Sequence, residues 1–166
     1  MIVISDSTPL ITLMKAGRLD VLKELFGEVF LPEAVFYEVT SNDSFHDEAD
    51  LIRNSSYIKI VKVTNPDRVV FLQRATGLDR GESEAIIYAD EAKADLLLMD
   101  EAAGRKVAQN MKIPMTGSVG ILVRAFQANL IPADEIDDTF NRIRNSNRHI
   151  SEKLIQSALE TIHEKK

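Results

Sequence analysis

Short apolar runs that stop on an acid or a turn alternate along this chain with longer segments whose apolar residues recur every three or four positions. The runs lie near 2–6, 29–31, 58–63, 95–100 and 113–116. Apolar runs of this length, bounded by Gly, Pro or polar residues, read as strands, and the unbroken ones as parallel strands buried on both faces. Ile58–Val63 alternates in part, as an edge-side strand does. Between the runs, Leu19, Leu22, Leu25 and Phe26 form a helical stripe closed by Gly27. Pro32 opens a helix through Ala34, Val35 and Val39, and Pro66 opens another that ends near Gly77. Ser7-Thr8 offers a hydroxyl N-cap, followed by Pro9 at the first helical position. Further helices span 102–111, 119–130, 133–144 and 151–163, and residues 41–50 read as a solvated polar loop and helix entry. Strand-helix alternation of this kind predicts an α/β fold with a mainly parallel sheet and helices on both faces. The expectation is one domain over 1–166, with 132–166 a C-terminal helical extension of it.

Composition narrows the chemistry. The 166 residues are 45% hydrophobic and 28% charged, an ordinary globular balance. There is no cysteine, and His46, His149 and His163 have no zinc spacing, so any metal here needs oxygen ligands, which suits Mg²⁺ or Mn²⁺. A net charge of −6 argues against a general nucleic-acid coat, not against a local acidic pocket filled by cations. No apolar run approaches a membrane span and no basic leader precedes Asp6, so the expectation is a cytoplasmic protein without membrane attachment.

Four acids then stand out. Asp6 and Asp100 both end apolar strands, and in open parallel sheets ligands bind beyond the carboxyl ends of strands. Glu38 and Glu82 lie on helices beside them. Each acid also has a plain structural reading: Asp6 as a strand end or cap, Glu38 as an exposed helix glutamate, and Asp79 with Glu82 as a capping box. Together, however, carboxylates gathered in one pocket must take up protons or cations. Without histidine or cysteine, the chemistry left is two-metal phosphodiester hydrolysis. On a helical wheel starting at Glu82, Ala85, Ile86, Ala89 and Ala92 share its arc, while Glu84 falls about 200° away, beside Glu91. The wheel therefore assigns Glu82 to the buried, metal-binding side and Glu84 to water; Glu101 stays open.

In this order, Asp6-Ser-Thr-Pro-Leu, Pro32-Glu-Ala-Val-Phe-Tyr-Glu38, Leu78-Asp-Arg-Gly-Glu82-Ser-Glu-Ala, Leu97-Leu-Met-Asp100-Glu and Thr116-Gly-Ser-Val-Gly-Ile-Leu122 resemble the PIN domain. More narrowly they resemble its prokaryotic subgroup regarded as toxins of toxin–antitoxin pairs, from Ile2 to about Ile131. The resemblance implies a five-stranded parallel sheet in the order 3-2-1-4-5 and Mg²⁺- or Mn²⁺-dependent endoribonuclease activity. It places the family's acids on Asp6, Glu38, Glu82 and Asp100, as catalytic residues and metal ligands. It also implies a homodimer with a cognate antitoxin protein. One departure is Leu98, where these nucleases often carry a hydroxyl residue, so one contact at the metal site is absent.

Other readings remain. The same fold without catalysis would be an RNA- or protein-binding module with a vestigial site. A receiver- or phosphatase-like domain would need Asp-x-Asp-x-Thr at the first strand or a lysine after the last, and this chain has neither. A ribonuclease needs cations for the flanking phosphates, and the stretch from Arg142 to Lys166 is relatively basic. The stripe Leu154, Ile155, Ala158, Leu159 and Ile162 is either core or a dimer surface. Gly117-Ser118 at a helix start can hold an anion through backbone N–H groups.

Overall fold

The computed structural model describes residues 1–41, 46–146 and 150–164. Five parallel strands form its centre: β1 (Val3–Ser5), β2 (Val29–Pro32), β3 (Ile58–Val61), β4 (Leu96–Leu98) and β5 (Met115–Thr116), in the order β3-β2-β1-β4-β5. That is the expected order. Four of the strands are shorter than their apolar runs, and β2 extends one residue beyond its run to Pro32. The register sets Ser5 beside Leu98, and Leu98 beside Thr116. β1 and β4 are buried throughout, as their unbroken apolar sequence requires, while β3 exposes Lys59 and Ile60 at the sheet edge.

The helices obey their punctuation. α1 (Ser7–Lys15) starts directly after Asp6, which occupies the N-cap position, so Pro9 lies two residues further in than the sequence suggests. α2 (Val21–Phe26) ends at Gly27, whose positive φ of 79° favours glycine. Pro32 finishes β2, and α3 (Glu33–Ser41) begins one residue later. α4 (His46–Asn54) falls in the stretch expected to be solvated, yet it buries Glu48, Ala49 and Ile52. Its amphipathic stripe was masked by acids, and Lys15 neutralises Glu48 at 2.6 Å. Positions 42–45 of that expected loop lie outside the described residues, as do His149, Arg148, Lys165 and Lys166 of the expected basic end. α5 (Pro66–Thr76) starts on an Asn65 cap and stops at Gly77. α6 (Arg80–Glu91) and α7 (Ala102–Asn110) flank β4, and α8 (Ser118–Gln127) follows β5.

α9 (Ile136–Arg144) and α10 (Glu152–Glu164) close the chain. Ile136, Phe140, Ile143, Ile155, Ala158 and Ile162 are buried in the same core as the strands. Of the two readings of the stripe 154–162, core is the one its buried residues follow. The inner side of the stripe packs within its own chain against α8, leaving Leu154 exposed and Leu159 half-buried. Two cations of this end are already engaged by acids of the same chain: Arg142 pairs with Asp138, and Arg144 with Glu152. Among the described residues no helix is long and apolar enough to cross a membrane.

Candidate metal centre

Topology brings the acids to one edge. β1 and β4 are neighbours, so Asp6 and Asp100 both leave the sheet at its carboxyl end, and the Asp6 N–H donates to Leu98 O at 3.0 Å. Asp6 is 2% exposed although it ends on a carboxyl group. As N-cap it makes no side-chain cap bond, and its Oδ1 is buried with no hydrogen-bond partner among the described residues. Burial, with Glu82, Glu38 and Asp79 adding negative potential, pushes its pKa up to about 8; the Ser7 N–H offsets part of this. A buried carboxyl held this way is protonated at neutral pH unless a cation replaces the proton.

Glu38 reaches the cluster from α3. Partial burial raises its carboxyl above the usual range, with Asp79 adding to the shift and the Ser7 hydroxyl, which faces it, opposing it. It comes close to Gly81, where a Cβ would stand 3.2 Å from Glu38 Oε2 and press on the carboxylate. Glu82 is also raised, by burial first and then by Asp79, Glu101 and Glu38. The capping box is present as well, with the Glu82 N–H donating to Asp79 Oδ1 at 2.8 Å and the Asp79 N–H to Glu82 Oε2 at 3.1 Å. Glu82 is thus both a helix cap and a neighbour of Asp6; neither reading excludes the other.

Asp100 is held from the opposite side. The Ser118 N–H donates to its Oδ1 at 2.7 Å and the Ser118 hydroxyl to its Oδ2 at 3.0 Å. The anion at the Gly117-Ser118 helix start is therefore the protein's own carboxylate. A Cβ at Gly117 would come within 2.6 Å of Asp100 Oδ1, so glycine is what lets α8 begin against it. Burial raises Asp100, while Ser118 and the Arg105 guanidinium oppose the shift and Glu101 adds to it. Leu98 is fully buried between Ser5 and Thr116 and gives the site no hydroxyl; the one beside Asp100 comes from Ser118.

Some of this was not legible in the sequence. Asp79, seen only as a cap, lies in the field of Asp6 and Glu38. Glu101, left open, acts on both Glu82 and Asp100 and accepts a 3.4 Å hydrogen bond from the Thr8 hydroxyl. Ser7 and Ser118 carry no signal beyond their places at helix starts. Glu84 requires a correction: it is 7% exposed, not on the water side. The wheel treats α6 as a helix with one buried face, but α3 and α5 pack along its other sides. Glu84 accepts from the Ala34 N–H of α3, and Glu91 from the Thr64 and Asn65 N–H groups ahead of α5.

The fit to a divalent cation rests on the orphaned Asp6 Oδ1 and on all-oxygen donors of one sign. As they stand, no three His, Asp or Glu side chains among the described residues are grouped closely enough to hold an ion. Glu82 is turned to its cap and Asp100 to Ser118. Beside the acids a cleft of about 720 Å³ opens between α3 and α6, with Tyr37, Glu38, Asp79 and Arg80 on its walls. On the other side, Arg105, Gln109 and Lys112 line a depression of about 510 Å³.

Residues 2–164 match a family described as a PIN domain. The chain belongs to the PIN domain family. The crystal structure of PAE2754 from Pyrobaculum aerophilum has a similar fold, with a TM-score of 0.58 and 15% sequence identity over 75% of this chain and 88% of that one. No curated protein matches the chain. The PIN domain is a nuclease-type fold, and the five-stranded parallel order found here agrees with it. In this PIN domain Asp6 and Asp100 follow the carboxyl ends of the neighbouring strands β1 and β4, and Glu38 and Glu82 lie in the field of Asp6.

Proposed function

We propose that this PIN domain is a metal-dependent endoribonuclease that hydrolyses RNA phosphodiester bonds. The observation that carries the reading is the buried Asp6 carboxyl, its Oδ1 without a hydrogen-bond partner among the described residues, in the field of Glu38, Asp79 and Glu82, a charge arrangement relieved by protons or cations. Asp6, Glu38, Glu82 and Asp100 would hold Mg²⁺ or Mn²⁺. When bound, such ions lower the pKa of water and stabilise charge at the phosphodiester. Asp6, whose pKa is raised to about 8, would have to lose its proton to act as a ligand. Ser118 fixes the rotamer of Asp100 through two donors, and the Gly81 gap lets Glu38 approach. Arg105 and Lys112, beyond Asp100, offer cations to phosphates on one side of the cut. These replace Arg142 and Arg144, which are already paired.

The motif resemblance to the prokaryotic subgroup supports a role as the toxin of a toxin–antitoxin pair, with an antitoxin protein partner and a homodimeric state. The test is incubation of pure protein with structured RNAs in Mn²⁺ or EDTA. Cleavage that needs Mn²⁺ and is lost in both Asp6→Asn and Asp100→Asn, with melting curves showing a folded protein, is the expected result. Cleavage that survives in either variant would reject these ligands. A second reading, a PIN fold that binds RNA or protein without cutting, is favoured by Leu98 and by the turned-away Glu82 and Asp100. It predicts weak Mn²⁺ binding on calorimetric titration.

A further inference from the structure

The start of α3 is held by a side chain that the metal-site reading does not use. Glu84 projects from the second turn of α6 and is nearly fully buried. Its Oε1 accepts from the Ala34 N–H at 3.0 Å and its Oε2 from Arg80 Nε at 2.8 Å. Ala34 is the second residue of α3, where backbone N–H groups have no partner within the helix, so an outside carboxylate is the natural acceptor. Glu38 follows four residues later and therefore lies on the same face as Ala34, one turn along. On α6 the matching step is from Glu84 back to Gly81, where a Cβ would crowd Glu38 Oε2 at 3.2 Å. The two helices pack against each other along their length, and two of their contacts bear on the acids, Ala34 on Glu84 and Glu38 on Gly81. The first is a charge-assisted hydrogen bond with one geometry; the second is only a gap that fits. α6 itself is anchored by its capping box and by Ala85, Ile86 and Ala89 in the core.

We infer that Glu84 is a positioning residue: by pinning the Ala34 N–H of α3 to α6, it sets where Glu38 stands against Asp6 and Glu82. The inference rests on the reading of Glu38 as a metal ligand for its consequence, not for its geometry. Glu91, seven residues further on, provides the natural control. It holds the entry to α5 by the same kind of carboxylate contact, but α5 carries none of the four acids.

Two measurements on the full chain test this with Glu84→Ala, Glu84→Gln and Glu91→Ala. The first needs no metal: the nuclear Overhauser contact between Gly81 Hα and the Glu38 side chain, with amide exchange at Ala34. Glu84→Ala should lose the contact and speed exchange about tenfold, the scale of one lost hydrogen bond to a charged acceptor. Glu84→Gln, which keeps an acceptor for Ala34, should restore both to within about threefold, and Glu91→Ala should leave both unchanged. The second is the Mn²⁺ dissociation constant, expected to weaken about tenfold in Glu84→Ala only, on the same energetic scale. Persistence of the Gly81–Glu38 contact in Glu84→Ala overturns the inference, as does an equal effect of Glu91→Ala. Loss of the contact with unchanged Mn²⁺ affinity overturns it too. If the unaltered chain binds no Mn²⁺ while Glu84→Ala loses the contact, the metal reading alone fails and the positioning stands.

Discussion

Asp6 has the environment of a group that must change state to act. Its folded-state pKa, about 8 against 3.8 for the ordinary carboxyl, means that the native protein binds the proton more tightly than the unfolded chain does. Stability is then highest below about pH 4 for this group and falls as pH rises through the window from 4 to 8, levelling off above it. Glu38, Glu82 and Asp100 shift in the same direction and add to the slope. Asp6→Asn should flatten much of that slope and stabilise the metal-free protein at pH 8 by on the order of a few kcal/mol, seen as a higher melting temperature. Thermal melts from pH 4 to pH 9 check this; a wild-type Tm that climbs across the window would contradict it. The same proton competes with any cation, so Mn²⁺ affinity should rise with pH up to about pH 8, as calorimetry in two buffers of different ionisation enthalpy would record. None of this is visible in the string Ile4-Ser5-Asp6-Ser7, where an aspartate before a helix reads equally as a cap. Burial decides it, and burial comes from β2 and β4 on either side of β1.

At the scale of elements, α6 is where local and tertiary demands meet. Its capping box was legible from Asp79 and Glu82 alone, because the box needs only residues three apart. Asp79→Ala should therefore cost about 1 kcal/mol of stability, measured by denaturant unfolding. Glu82→Gln keeps an acceptor for the Asp79 N–H and should change stability by less than about 0.5 kcal/mol. On the proposed reading it nonetheless abolishes Mn²⁺-dependent cleavage, whereas Asp79→Ala retains part of it. Activity intact in Glu82→Gln would remove Glu82 from the site. The wheel that separated Glu82 from Glu84 put the right residue beside Asp6 but the wrong one in water. Periodicity reports which arc of a helix is apolar; it is blind to neighbours that bury a polar arc by meeting it with their own N–H groups. Glu84 and Glu91 are both of that kind.

On the scale of the whole molecule, α9 and α10 complete the core instead of presenting a surface. Ile155→Ala or Ile162→Ala should lower stability by about 2–4 kcal/mol, as truncations of buried isoleucine do, and leave the oligomeric state unaltered on sizing. A variant that changes elution volume with no loss in Tm would restore the stripe as an interface. The homodimer of the proposed function must then use another face. Phe71, 74% exposed beside Arg68 and Leu72, is the largest apolar side chain left open on α5.

The sequence by itself determined the alternation of strands and helices, the capping box of α6 and the glycine stops of α2 and α5, and it marked four candidate acids, because these depend on spacing along one chain. Strand ends carry Asp6 and Asp100 wherever the sheet order places them, and helix starts carry Ser7, Ser118 and Asp79 whatever lies opposite. Only the tertiary structure decided which of these face one another. The order β3-β2-β1-β4-β5 sets Asp6 beside the end of β4. The packing of α3 on α6 gives Glu38 its gap at Gly81 and Glu84 its place at the start of α3, and the docking of α8 gives Asp100 its two donors from Ser118. A carboxylate's protonation, partners and reach are set by what surrounds it in space, and those neighbours come from segments far apart in the chain.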